Sequence, residues 1–198
     1  MKKVIGITGN SGSGKTTATA ILKKLCDAEV IDADKVVREL SVPGTKYLDA
    51  IKEKFGESVF LEDGTLNRKA LAEKIYNSKE DLEVLNGLTF KYVVEEIKFR
   101  IEESKSEIIV LDAPLLFESG LNENCTAVIG LTAPFELKVE RIVKRDGISE
   151  ETAYSRINIQ AKDEFYLNKA DVVIENDNQD ELEDKLKEAL RILNIKEK

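Results

Sequence analysis

"GITGNSGSGKTTA", residues 6–18, sits between a short apolar run and a helix-forming one, and that setting decides the fold. Gly9-Asn10-Ser11-Gly12-Ser13-Gly14-Lys15-Thr16 fits the pattern G-x-x-x-x-G-K-[ST]. Its glycines let successive backbone N–H groups turn inward around a phosphate. The helix that follows adds the positive end of its dipole. Lys15 is spaced to reach the β- and γ-phosphates of a nucleotide such as ATP, and the Thr16 hydroxyl to ligate Mg²⁺. Thr17 lies beside them in the first helical turn. The preceding Lys3-Val4-Ile5-Gly6-Ile7-Thr8 reads as a buried parallel strand. A phosphate cradle alone leaves open a kinase, a molecular switch, a motor part or a passive nucleotide binder.

Composition narrows the field. The 198 residues suit one domain with at most small appended parts. Apolar residues make up 42% of the chain, enough for a sizeable core, and 34% charged residues argue for a soluble surface. No apolar run approaches the roughly 20 residues that span a bilayer. The first residues turn into Gly and Ser too soon for a signal peptide, so a cytoplasmic setting and no membrane partner are expected. With no histidine, His-based acid–base chemistry and zinc sites drop out. Cys26 and Cys125 form no CxxC and read as packing residues. The net charge of −8 argues against a nucleic-acid partner, which requires a basic footprint. Polyanionic substrates then demand a local concentration of Lys and Arg.

Strand and helix signals alternate along the chain. Residues 16–25 read as a helix, 29–32 as a strand, and 34–55 as helical with a break at Pro43-Gly44. Ser78 with Asp81 forms a capping-box pattern before a long amphipathic stretch. There Leu82, Leu85, Val93, Ile97 and Ile101 fall on one face, with Gly87 as a break. Strands follow at 107–111, 126–132 and 171–174. Helices are expected at 135–145, after Ser149, and from Asn178 to the end. This alternation predicts an α/β fold with a mostly parallel sheet.

Asn168-Lys169-Ala170-Asp171 spells the guanine-reading NKxD motif, but it precedes a strand rather than following one. No Asp in the chain has Gly three residues on, so the D-x-x-G switch of a GTPase is missing. Asp171 reads instead as the start of the last strand.

In open parallel sheets ligands gather beyond the strand C-termini. Two such ends carry carboxylates: Asp32-Ala33-Asp34 and Asp112. Asp34 is placed to take the proton of an attacking hydroxyl, Asp32 to cap a helix, and Asp112 to help hold Mg²⁺ or its waters. The helix "FELKVERIVKRD" turns Phe135, Val139, Ile142 and Val143 to one side. Lys138, Arg141 and Arg145 share another. Between 138 and 145 four basic residues stand against one acid, which with Arg156 points to a lid over nucleotide phosphates.

Taken in order, these blocks resemble the dephospho-CoA kinase family. "VIDADKVVREL" is similar to its DAD-x-x-x-R stretch, "VPGTKYLDAIKEKFG" and "DGTLNRKALAEKIY" to its next two blocks, and "DAPLLFESGL" to its D-x-PLLFE segment. "RIVKRDGISEETAYSRINIQ" resembles its lid, and "ADVVIEND" its final strand. The resemblance implies a three-layer, parallel-sheet P-loop fold of the nucleotide-kinase type, with a helical acceptor lobe at about 58–104 and a helical lid at about 138–165. It implies Mg-ATP on Gly9, Asn10, Ser11, Gly12, Ser13, Gly14, Lys15, Thr16 and Thr17, with Arg145 also on ATP. It implies catalysis by Asp34, Lys15, Arg141 and Arg145. Acceptor contacts would come from Asp34, Arg38, Arg68, Leu115, Leu116 and Arg156. The implied reaction phosphorylates the ribose 3′-hydroxyl of dephospho-CoA. A kinase for another nucleotide or nucleoside, or a nucleotide-binding regulator, are the alternatives. Three places depart from the family: Asn10-Ser11 for Gly-Ile, Phe90-Lys91 for His-Pro, and Phe165-Tyr166 where a basic residue is usual.

Overall fold

Apolar runs four to six residues long, each ending in a polar residue or glycine, build the strands of the computed structural model, which describes residues 2–76, 78–160 and 162–198. The strands are β1 (Lys3–Thr8), β2 (Glu29–Asp32), β3 (Ile108–Asp112), β4 (Ala127–Thr132) and β5 (Val172–Glu175). The helices are α1 (Lys15–Cys26), α2 (Ala33–Leu40), α3 (Lys46–Phe55), α4 (Arg68–Tyr76), α5 (Lys79–Glu103), α6 (Phe135–Asp146), α7 (Glu150–Ile159), α8 (Asp163–Leu167) and α9 (Leu182–Ile192). Among the described residues the strands form one parallel sheet in the order β2-β3-β1-β4-β5. β1 lies at its centre, with Ile7 opposite Asp112 of β3 on one side and Ile129 of β4 on the other. The loop after β1 therefore leaves the middle of the sheet at its C-terminal edge, where neighbouring parallel strands also end. None of the described helices is long and apolar enough to cross a membrane.

Contacts divide the chain into two units, Met1–Ile31 with Ser104–Lys198, and Asp32–Glu103. In the first, Ile5, Ile7, Ile129 and Leu131 of the sheet pack with Ala18 and Leu22 of α1 and Leu182, Leu186 and Leu190 of α9. Each fully buried aliphatic side chain of this kind contributes about 1.5–3 kcal/mol. β1 is packed so closely that a Cβ on Gly6 would lie 2.8 Å from Cys125 Sγ and 2.9 Å from Leu116 Cδ2. A smaller cluster of Val139, Ile142, Ala153 and Ile157 joins α6 to α7. Both cysteines are free thiols. Burial pushes the Cys125 thiol up to about 12, with the Asp171 carboxylate adding to the effect, which disfavours the thiolate.

The second unit is built from helices. Tyr47, Leu48, Ile51 and Phe55 of α3 pack with Leu71 of α4 and with Leu85, Leu88 and Tyr92 of α5. Ser78 accepts from Asp81 N at 3.1 Å and starts α5 as its capping pattern predicts. The break expected at Gly87 does not occur, and α5 runs through it for 25 residues. One interior glycine costs only about 1 kcal/mol, and the apolar contacts on either side of Gly87 outweigh that. Leu82 is 41% exposed and is not part of the packed face.

Candidate active site

The loop between β1 and α1 owes its shape to residues that only glycine satisfies. Gly14, with φ +97°, is the N-cap of α1 and brings no side chain to the helix end. A Cβ there would also meet Asn176 Nδ2 at 2.1 Å. Gly12, with φ +81°, lies against α6, where a Cβ would come 2.7 Å from the Lys138 carbonyl oxygen. The first-turn N–H groups of α1 lack intrahelical acceptors, as at every helix start, and the N-cap, Gly14, makes no side-chain cap hydrogen bond. That is an anion site in outline. Lys15 folds back over it, its Nζ donating to Gly9 O at 2.5 Å and to Asn10 O at 3.3 Å. Within the loop the Ser13 hydroxyl is buried with no hydrogen-bond partner among the described residues. Buried polar atoms are nearly always satisfied, so this donor fits a ligand oxygen or a water bound to one.

Asp112 is held to α1 by the Thr19 hydroxyl, which donates to its Oδ2 at 3.1 Å. Thr16 is exposed and stands three residues before Thr19, on the same helix face. The carboxylate of Asp112 and the hydroxyl of Thr16 thus belong to one side of the loop–helix junction.

Three residues of the 141–163 stretch reach the loop. Arg141 donates to Gly12 O at 3.2 Å. Gln160 takes Ser11 from both sides: its Oε1 accepts from Ser11 N at 3.0 Å, and its Nε2 donates to Ser11 Oγ at 3.2 Å. Asn10 Nδ2 donates to Asp163 Oδ1 at 2.7 Å. Lys138 does not stand with Arg141 and Arg145 on an open basic face. It is 4% exposed and pairs with Asp163 at 2.7 Å. Burial raises the Asp163 carboxyl, but hydrogen bonds from Lys138, Thr132 and Asn10 outweigh it and leave the group below the usual carboxylate range.

Arg145 and Arg156 meet at a single carboxylate. Arg145 clasps Asp146 in bidentate fashion at 2.7 and 2.9 Å, and Arg156 Nη1 donates to Asp146 Oδ2. The hydrogen bond from Arg145, with a further contribution from Arg156, outweighs desolvation and brings Asp146 down to about 2. A carboxylate with a depressed folded-state pKa contributes its contacts fully above its unfolded value, about 4. They are lost as pH falls through about 2. A carboxyl-carbon NMR titration is expected to show a midpoint near 2 for Asp146. A midpoint near 4 would mean that the arginines are not paired with it in solution.

The remaining expected site residues lie as follows. Asp34 is exposed in the first turn of α2, and Asp32 is that helix's N-cap, accepting from Lys35 N at 2.9 Å. Arg38 lies 4.0 Å from Asp32. Arg68 is exposed at the start of α4. Leu116 is fully buried, while Leu115 is 49% exposed. Phe90 is half-buried and Lys91 exposed on α5. Tyr166 is buried and its hydroxyl donates to Glu118 at 3.3 Å. Lys169 Nζ rests 3.8 Å from the Phe165 ring centroid and 5.5 Å from that of Phe117. A cation is thus present beside the Phe165-Tyr166 departure, supplied from one turn further on. Asp171 begins the last strand's pairing, its carboxylate accepting from Val128 N at 2.7 Å.

Four residues of this site escaped the sequence reading: Thr19, Asp146, Asp163 and Asn176. Asn176 follows β5 directly and donates to Ser13 O at 2.9 Å. A polar residue just past a strand's C-terminus was its available signal.

A central parallel strand, a glycine-shaped anion loop and a lysine folded over it define a P-loop phosphotransferase-type nucleotide-binding protein. A sequence profile described as dephospho-CoA kinase matches residues 3–181. The dephospho-CoA kinase of Idiomarina loihiensis is 38% identical over 177 residues, covering 89% of this chain and 87% of that protein. A Thermus thermophilus protein of known structure superimposes with a TM-score of 0.82 at 29% identity, and the dephospho-CoA kinase from Campylobacter jejuni with 0.66 at 28%; each match covers 96% of both chains. The chain belongs to the dephospho-CoA kinase family. It is a kinase, with a nucleotide as one substrate and a small molecule as the other.

Proposed function

We propose that this chain transfers the γ-phosphate of ATP to the ribose 3′-hydroxyl of dephospho-CoA, giving coenzyme A. The observation that carries the reading is the glycine N-cap at the start of α1 with Lys15 folded over it. Gly9 to Thr17 hold the phosphates through backbone N–H groups and the Ser13 hydroxyl. Lys15 carries positive charge to the transferring group. Thr16 and Asp112 offer one hydroxyl and one carboxylate, the sparse donor set that Mg²⁺ accepts when phosphate oxygens and waters complete its shell. Bound there, the ion would supply charge neutralisation on the phosphates.

Asp34 serves as the base that orients the acceptor hydroxyl and takes its proton. Arg38, Arg68, Leu115, Leu116 and Arg156 serve the acceptor, and residues 58–104 form its lobe. Residues 138–165 act as the lid, with Arg141 and Arg145 stabilising charge in the transition state and closure keeping water from competing as acceptor. For Arg145 and Arg156 this means exchanging Asp146 for phosphate oxygens. The proposed setting is cytoplasmic, in keeping with two free thiols.

A coupled ADP-release assay tests the reading. Stoichiometric ADP that requires dephospho-CoA is the expected result. ADP formed only with another nucleotide or nucleoside would reassign the acceptor, and attention would turn to Phe90 and Lys91. Nucleotide binding without turnover would make the chain a regulator.

A further inference from the structure

Side chains from three separate stretches converge on one carboxylate. Asp163, the first residue of α8, accepts from Asn10 of the phosphate loop through Oδ1. Its Oδ2 accepts from the Thr132 hydroxyl, at the end of β4, at 2.6 Å and from Lys138 of α6 at 2.7 Å. We infer that Asp163 is a positioning residue for phosphoryl transfer, fixing the first half of the phosphate loop through Asn10.

The loop is gripped in two halves. Asn176 holds the second half at Ser13 O. The first half is gripped residue by residue from the lid elements: Asn10 by Asp163, Ser11 by Gln160 and Gly12 by Arg141. Of these three grips, those through Asp163 and Arg141 involve an ionised group, and charge-assisted bonds are roughly twice as strong as neutral ones. The Asp163 bond is the shorter of the two, 2.7 Å against 3.2 Å. It is also the one with a rigid base. Lys138 is buried, and breaking a buried pair by removing one partner is strongly unfavourable, so the carboxylate cannot readily leave its place. Thr132 fixes the same oxygen to the sheet. A loop rich in Gly and Ser presents its N–H groups to a phosphate at the right angles only while its backbone is held, and Asp163 does the holding without touching the phosphate itself. Asn10, which replaces the family's usual glycine, supplies the amide that makes this link.

The inference rests on the reading of the loop as a nucleotide site, and its test keeps the two apart. ADP is the probe, titrated by calorimetry into the full chain and into Asn10→Ala, Asp163→Asn and the double variant, with melting curves and steady-state kinetics alongside. Each single change is expected to weaken ADP about tenfold and to lower kcat, with KM for dephospho-CoA unchanged. The double variant should be no weaker than the worse single, because both changes cut one link. Asp163→Asn also leaves Lys138 without its counter-charge and lowers Tm. If that variant does not fold, Asn10→Ala decides alone, since it leaves the ion pair in place. A purely structural role would lower Tm with ADP affinity per folded molecule unchanged, and that result overturns the inference. So does a double variant whose losses add. A native chain that binds no ADP would overturn the nucleotide reading, and the inference with it.

Discussion

Asp34→Asn is expected to lower dephospho-CoA-dependent turnover by about a thousandfold, within the range typical of a positioned general base, while ATP affinity and folding stay near native. The expectation of intact folding comes from the residue's surroundings. Asp34 is exposed, and the helix it sits in is capped by Asp32, not by Asp34 itself. An asparagine keeps the size and polarity of the side chain and surrenders only its charge. Near a helix N-terminus that charge is worth about 0.3–1 kcal/mol, a small change for a domain. Turnover is another matter, because an amide does not take a proton from an attacking ribose hydroxyl. The two measurements therefore separate: kcat should collapse while Tm and the ATP Kd hold. Turnover within a few-fold of native would remove Asp34 from the base role and leave it as a surface residue of α2.

Much of the architecture was legible because it rests on local rules. The run before Gly9 and the glycines after it force a strand, a tight loop and a helix in that order, and Ser78 and Ser149 mark their helix starts by the hydrogen bonds they make. Gly87 misled because a local penalty of about 1 kcal/mol was weighed without the contacts on either side of it. Lys138 was misread for a related reason. Helical spacing places it with Arg141 and Arg145, but spacing does not say what covers a face. Here the covering group is Asp163, 25 residues further on. Asp163 itself draws on residues 10, 132 and 138, and no window of sequence contains all four. Two of the three departures from the family pattern lie where the structure places contacts across elements. Asn10 and Ser11 are two of the three loop residues held by side chains from the 141–163 stretch, and Phe165 is the platform for Lys169.

The same geometry gives Lys15→Met its expected outcome: kcat and kcat/KM for ATP falling together, by at least a hundredfold. Methionine matches the lysine stem in length and flexibility, so the substitution removes little but the ammonium group. That group is held by two backbone carbonyls, Gly9 O and Asn10 O, so its charge is in place before any phosphate arrives. A charge fixed in advance costs no reorganisation when negative charge shifts during transfer, and this is why such donors weigh more on the transition state than on binding. An arginine would not substitute for it, since a planar guanidinium cannot rest on the same two carbonyls as a compact ammonium does. Lys15→Arg should therefore recover binding before it recovers turnover. A variant with raised KM and unchanged kcat would place Lys15 in ground-state binding alone. The loop would then be a holder of nucleotide, and the electrostatic work of transfer would fall to the lid arginines.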